Sequence, residues 1–204
     1  MKIVTRKTAI ENLEKYKGQN LRVWADKYNI TVFKNGKQNK GWKGHVLERL
    51  AGLENNNEKA PNGLGFELKS VAFEKRDGVL APKETMAITM INPKELKEQE
   101  FFKSHCWEKL KSLVFCSVLW NDYRAEDSEL LEVSSLDFSE DDELINEIKE
   151  DYDFIREKLI KQGFKSLTGK DGKWIQARTK GPGHGSISRA FYAKKELVKR
   201  ICDL

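Results

Sequence analysis

The sequence has only three cysteines, Cys106, Cys116 and Cys202, an odd number with no CxxC spacing. A disulfide framework is thereby excluded, and these residues read as reduced, mostly buried thiols of a cytoplasmic protein. Long apolar runs are also missing. The longest, such as Leu113 to Trp120, are far too short to span a bilayer, so no membrane partner is expected. Residues Met1 to Lys7 hold no apolar stretch of the kind a secretory leader needs, and none is expected. The three histidines lie far apart in sequence and suggest no zinc site. No internal repeat or low-complexity tract interrupts the chain.

What is present points to a folded domain. Hydrophobic residues make up 39% and aromatics 10% of the 204 residues, which is enough for a core and too much for disorder. That length suits a single domain over residues 1–204, or one core split into two lobes around a cleft. The formal net charge is only +5, but it is unevenly spread. Residues 124–157 hold 14 acids against 3 bases, and residues 158–200 hold 12 bases against 2 acids. Opposed blocks of this size predict one face that repels polyanions and another that attracts them. The acidic block is also what a solvated helix face looks like; the basic block points to nucleic acid.

Apolar periodicity predicts a helix over 8–17 closed at Gly18, a short helix over 20–28, and a helix from Trp42 to Leu53 burying Val46, Leu47, Leu50 and Leu53. Strands are predicted at 65–71 and 84–91 with a hairpin turn at Asp77-Gly78 between them, and at 113–120 after a helix over 100–111. Leu144, Ile148, Tyr152, Ile155 and Leu159 mark a long amphipathic helix that starts near Ser139 and Asp142 and stops at Gly163. A short strand at 173–177, a glycine-rich loop at 181–185 and a helix near 191–201 complete the reading. The order implies an α/β (α+β) fold, a mixed central sheet flanked by helices.

The chemically informative segment is Gly65-Phe66-Glu67-Leu68-Lys69-Ser70. Side chains on a strand alternate faces, so Glu67 and Lys69 project together while Phe66 and Leu68 turn to the core. Phosphodiester hydrolysis needs carboxylates to hold a hard divalent cation and a base or cation beside the attacking water. A Glu-x-Lys pair with another acid upstream supplies those parts, although the triplet alone occurs on many exposed strand edges.

Its surroundings are more specific. Lys40-Gly41-Trp42-Lys43-Gly44-His45-Val46-Leu47-Glu48, then Pro61-Asn62-Gly63-Leu64-Gly65-Phe66-Glu67-Leu68-Lys69, resembles the MutH family of the PD-(D/E)xK superfamily. That family comprises mismatch-repair nickases and Sau-type type II restriction enzymes that cut at GATC. Matches continue in order through Ser104 to Lys111, Gln176 to Gly181 and Arg189 to Lys195, so the resemblance spans roughly residues 20–200. It implies a restriction-endonuclease-like core with two lobes around a DNA cleft. The catalytic residues would sit in an N-terminal lobe of about 1–120, and a DNA-reading segment would occupy about 165–204.

By the same resemblance, Glu67 ligates Mg²⁺ together with the Leu68 carbonyl and residue 62. Lys69 orients the nucleophilic water, Glu48 completes the acidic cluster, and Lys109 stabilises the site or the phosphate. Lys40, Arg178, Lys180, Gly181, Arg189 and Tyr192 are the implied DNA contacts. Arg178, Lys180 and Gly181 fall in the base-reading loop, and Tyr192 falls where adenine methylation is sensed. The basic segment alone agrees, since Lys and Arg contact phosphates and guanine edges.

One position departs from the family pattern: Asn62 stands where it has aspartate. Asparagine offers one neutral carbonyl oxygen in place of an anionic pair, which weakens a Mg²⁺ site and slows the reaction. Either an inactivating change was introduced, which the intact remainder of the motif favours, or the natural protein works with Asn62 at reduced activity. Three activities follow from these residues. The first is a Mg²⁺-dependent type II restriction endonuclease acting on double-stranded DNA, paired as a homodimer on DNA for double-strand cutting. The second is a methyl-directed mismatch-repair nickase answering to a MutL-like activator. The third is a DNA-binding homologue that does not cleave.

Overall fold

The structure, a computed structural model, describes residues 4–53, 65–120, 127–138, 142–180 and 188–202. In chain order the elements begin with α1 (Arg6–Glu14), α2 (Leu21–Lys27), the two-residue strands β1 (Phe33–Lys34) and β2 (Lys37–Gln38), and α3 (Trp42–Ala51). Then come β3 (Glu67–Arg76), β4 (Val79–Pro82), β5 (Met86–Met90), α4 (Pro93–Glu98), α5 (His105–Glu108), β6 (Ser112–Leu119) and β7 (Leu130–Asp137). The last are α6 (Asp142–Gln162), β8 (Ile175–Thr179), β9 (Arg189–Ala193) and α7 (Lys195–Ile201). This is the expected α/β class with mixed sheet. No helix among the described residues is long and apolar enough to cross a membrane.

The chain divides into two compact units, each made from two stretches: Met1–Glu84 with Leu113–Leu136, and Thr85–Ser112 with Asp137–Leu204. The first unit is built on a four-stranded sheet of order β4-β3-β6-β7. β3 and β4 form an antiparallel hairpin whose two turn residues, Asp77 and Gly78, have φ of 51° and 81°. Positive φ at both positions matches the twist of the flanking strands, as the Asp-Gly pair predicts. β3 runs parallel to β6, from Glu67 beside Leu113 to Phe73 beside Leu119. A parallel pair needs a long crossover, and residues 85–112 of the second unit lie on that path.

α1, α2 and α3 pack with β3, β6 and β7 in one apolar cluster that includes Leu13, Leu21, Trp42, Val46, Leu47, Leu50, Phe66, Leu68, Val114, Cys116 and Leu130. The predicted core face of α3 is the buried one. Two caps start the preceding helices: Thr5 Oγ1 accepts from the Thr8 N–H at 3.2 Å, and Asn20 Oδ1 accepts from the Arg22 N–H at 2.8 Å.

The second unit carries an antiparallel sheet of order β5-β9-β8, with β9 central. All five residues predicted for the long helix's core face, Leu144, Ile148, Tyr152, Ile155 and Leu159, are buried on α6. Tyr152 stacks on Phe191 of β9 at 5.4 Å between ring centroids and tilts against Phe101 at 5.5 Å. The predicted stop at Gly163 holds, with φ of 81°.

Five local expectations need correction. The strand predicted at 84–91 is not the second arm of the Asp77-Gly78 hairpin: that arm is β4, and β5 pairs with β9 in the other sheet. The predicted helix over 100–111 is a 3₁₀ turn at Phe101–Lys103 followed by the four-residue α5, which Ser104 caps through the Trp107 N–H. Residues 191–193, read as helical, complete β9, and the helix starts only at Lys195. β7 was not anticipated, because Glu129, Glu132 and Asp137 made its stretch read as part of a solvated acidic block; it is an edge strand in which only Leu130 and Val133 are buried. The predicted separation of charge is also incomplete: Glu147 of α6 pairs with Lys173 at 2.7 Å, and Asp171 pairs with Lys158 at 2.6 Å. The glycine-rich loop at 181–185 and the start at Ser139 lie outside the described residues.

The turn into β8 hangs on one buried carboxylate. Asp151 of α6 accepts from the backbone N–H groups of Lys173 (2.6 Å), Trp174 (2.5 Å) and Ile175 (2.8 Å). Gly172 precedes them at φ of 73°, and a Cβ there would lie 2.0 Å from the Ile175 carbonyl oxygen. Neither atom can yield without losing the Asp151 bonds. Gly172→Ala is expected to destabilise the protein by about 2–4 kcal/mol, from positive-φ strain plus overpacking. Denaturant unfolding followed by tryptophan fluorescence checks this; an unchanged midpoint contradicts it.

Candidate active site

β3 and α3 bring three of the singled-out side chains into one neighbourhood of the first unit. Glu67 and Lys69 emerge two residues apart from β3, and Lys69 Nζ lies 2.9 Å from Glu67 Oε1. The alternation predicted for the strand therefore holds for this pair. It holds only partly for burial: Phe66 and Leu68 are in the core as expected, but the Glu67 side chain is itself only 5% exposed and that of Lys69 17%. A carboxylate and an ammonium so far out of water offset part of each other's lost hydration, and both make further polar contacts.

Glu48 comes from the last turns of α3, with its side chain 18% exposed. His45, one turn earlier, places Nδ1 3.6 Å from Glu48 Oε2. Burial pushes the Glu48 carboxyl above the usual carboxylate range. His45 and Lys69 pull it back, while the negative charge of Glu67 adds to the rise. A divalent cation would relieve the repulsion that Glu67 exerts on the Glu48 carboxyl, since hard cations take oxygen ligands of this kind. In the chemistry of their oxygen donors, Glu67 and Glu48 thus fit a divalent cation. Among the described residues no group of three His, Cys, Asp or Glu side chains is gathered as a metal cage. Asn62, the remaining expected ligand, lies outside them. His45 was missed in the sequence reading, although its i, i+3 spacing from Glu48 was the signal that could have found it.

Lys109 belongs to the second unit, where it is half-buried at the C-terminal end of α5. The expected DNA contacts are distributed as follows. Lys40 is exposed after β2 and lines a pocket at the start of α3. In the second unit, Arg178 at the end of β8 lies over the Tyr192 ring at 5.1 Å and donates to Thr85 Oγ1 at 3.1 Å. Lys180 is exposed just beyond β8, its N–H bonded to the Ser188 carbonyl. Arg189 is half-buried: its Nε donates to the Leu167 carbonyl at 3.2 Å, and its guanidinium lies over Phe164. Lys165, Arg178 and Arg189 together line one open groove with Thr168 and Gln176. Gly181 lies outside the described residues.

A mixed sheet with helices against it, carrying an acid-x-lysine pair on a strand and a second acid on the preceding helix, is a restriction-endonuclease-like arrangement. The sequence narrows that class further. The profile of a family described as "DNA mismatch repair enzyme MutH" matches residues 51–151. A DNA mismatch repair protein MutH from Escherichia coli is 24% identical over 200 residues, covering 95% of this chain and 84% of that protein. Another from Shewanella woodyi is 25% identical over 176 residues, covering 85% and 74%. The chain is similar to the MutH family over most of its length. The matched profile includes Glu67, Lys69 and Lys109; Glu48 and the residues of β8 and β9 fall beyond its ends.

The raised Glu48 carboxyl has a thermodynamic consequence. A folded-state value above the unfolded one means that the associated stability is present below the unfolded value, about pH 4, and is lost as pH rises through the folded value. Without metal, Glu48→Gln is therefore expected to raise the melting temperature at pH 7–8. The gain should vanish near about pH 4. Thermal scans in chelator across that range check it, and a gain that grows on acidification contradicts the assignment.

Proposed function

We propose that this protein is a divalent-metal-dependent DNA endonuclease and, in the finer reading, a Mg²⁺-dependent type II restriction enzyme hydrolysing phosphodiester bonds at a short palindrome. The observation that carries the nuclease reading is the Glu67–Lys69 pair, 2.9 Å apart on β3 beside Glu48 of α3, in a chain similar to MutH. Glu67, the Leu68 carbonyl and residue 62 would hold the cation, with Glu48 completing the charge around it. When bound, such a cation neutralises charge on the scissile phosphate. Lys69 Nζ, held by Glu67, donates to the attacking water and orients it in line with the ester bond that breaks. One P–O bond forms to water and one P–O ester bond breaks, leaving a phosphate monoester and an alcohol. The basic groove of Lys165, Arg178 and Arg189 supplies phosphate contacts, with Arg178 over Tyr192 set to meet base edges.

A second reading is a nicking endonuclease of the mismatch-repair kind, which the names of both relatives favour. Plasmid digestion with Mg²⁺ separates the two. Linear product without any added protein supports restriction and a paired assembly on DNA; accumulation of nicked circles supports the nickase. Asn62→Asp is expected to raise the rate in either case, by on the order of 10²-fold or more. Lys69→Ala in that background should lower it by about 10²–10⁴-fold. If neither form cuts any DNA while both bind it, the protein is a binding homologue and the nuclease reading fails.

A further inference from the structure

The first unit holds a second built site, away from the paired carboxylates, at the opposite end of α3. A pocket of about 340 Å³ opens beside the first turn of that helix, where Trp42, Lys43 and Gly44 line it. Gly41 occupies the N-cap and offers no side-chain acceptor. The N–H groups of a first helical turn have no partner within the helix, and no bond to those of Lys43 and Gly44 occurs among the described residues. The N-terminal end also carries the positive pole of the helix dipole.

Two residues that line the same pocket carry buried donors without acceptors. Trp42, only 1% exposed, has its indole Nε1–H buried without a partner, and the side-chain amide nitrogen of Gln38 is in the same condition. Buried donors left unpaired cost roughly 1–3 kcal/mol each, so they are rare unless something meets them. Positive charge surrounds them: Lys43 and Lys83 both line the pocket, with Lys83 seated on the Trp120 ring. Burial pushes the Lys43 ammonium below its usual range and Lys83 adds to the fall, while Glu84 on the rim pulls the other way. Such a lysine gains most from an anion placed beside it. Lys83 covers the Trp120 ring face, which argues against a stacked base. Glu84 is the one anionic side chain that lines the pocket among the described residues.

We infer that this pocket seats a phosphate group, bound by the α3 N-terminal N–H groups, Lys43, Lys83 and the Trp42 indole N–H, and carried by the DNA backbone or by a free phosphate compound. The backbone source rests on the nuclease reading; the seat itself does not. A phosphate is the fitting anion because it offers several acceptor oxygens to donors converging from a helix end and two lysines.

The test uses the whole chain in chelator, so that no cleavage occurs, and follows the Trp42 indole N–H resonance, assigned with Trp42→Phe. Titration with inorganic phosphate, and separately with a DNA duplex, is expected to move that resonance saturably. Lys43→Met should weaken both responses on the order of 5- to 10-fold and flatten the salt dependence of duplex binding by about one charge. Glu84→Gln should tighten both, a gain that misfolding cannot produce. Saturation by phosphate but not by duplex supports the seat and assigns it to a free phosphate compound. An indole resonance that neither ligand moves, or equal affinities for Lys43→Met and the parent, overturns the inference. Lys69→Ala should keep the indole response whatever it does to cleavage, so a failed nuclease reading and a failed phosphate seat are told apart.

Discussion

The site depends on keeping a carboxylate and an ammonium together out of water at the start of β3. Glu67 and Lys69 stand 2.9 Å apart with little exposure, beside a second, half-buried acid on α3. Desolvating two such groups costs several kcal/mol each before their attraction is counted, so a buried ion pair is a poor device for stability alone. The register of β3 against β6 is what enforces it. Seven consecutive parallel pairs fix which residues of β3 face which way, and a slip by one would exchange Glu67 and Lys69 for Phe66 and Leu68. The apolar cluster formed by α1–α3 with this sheet therefore holds the polar pair in place while contributing nothing polar itself.

Much of this was legible in the sequence, for identifiable reasons. Leu144 to Leu159 kept helical period over five residues, and all five are buried on α6. Asp77-Gly78 fixed a two-residue hairpin because the turn requires positive φ twice. The same-face placement of Glu67 and Lys69 follows from strand alternation alone, and Glu48 was added through a motif that carries its own spacing. The mistakes arose where local pattern and tertiary context disagree. β7 carries two acids and buries only Leu130 and Val133, so nothing in its composition outweighs the reading as a solvated segment. Phe191 and Tyr192 looked helical beside a true helix, but β9 is central in its sheet and Phe191 is needed against Tyr152. Charge blocks mislead for a related reason: counting cannot show that Glu147 and Asp151 fold back onto the Lys173–Ile175 turn.

His45 and the pocket at the start of α3 were beyond a sequence reading for a different reason. Each joins residues whose types are unremarkable and whose meeting depends on packing. Lys43 and Lys83 are forty residues apart, and the orphaned indole N–H of Trp42 exists only because that ring is buried. A basic residue count would rank this region below the C-terminal block, yet it is here that buried donors converge.

Both polar sites of the first unit hang on a single ten-residue helix, and its dipole gives them opposite characters. Lys43 and Gly44 lie at the positive end, where an anion is favoured; Glu48 lies near the negative end, where a carboxylate is disfavoured and a cation is welcome. Five residues separate Lys43 from Glu48, a rise of about 7.5 Å along the axis. The backbone of α3 thus sets up a gradient that suits a phosphate at one end and carboxylates sharing a cation at the other, without any side chain having to supply it. The rise in the Glu48 carboxyl, caused first by burial and then by Glu67, adds to the dipole at that end. A substitution that bent or shortened α3 would disturb both ends at once, whereas changes to Lys43 or to Lys69 address one each.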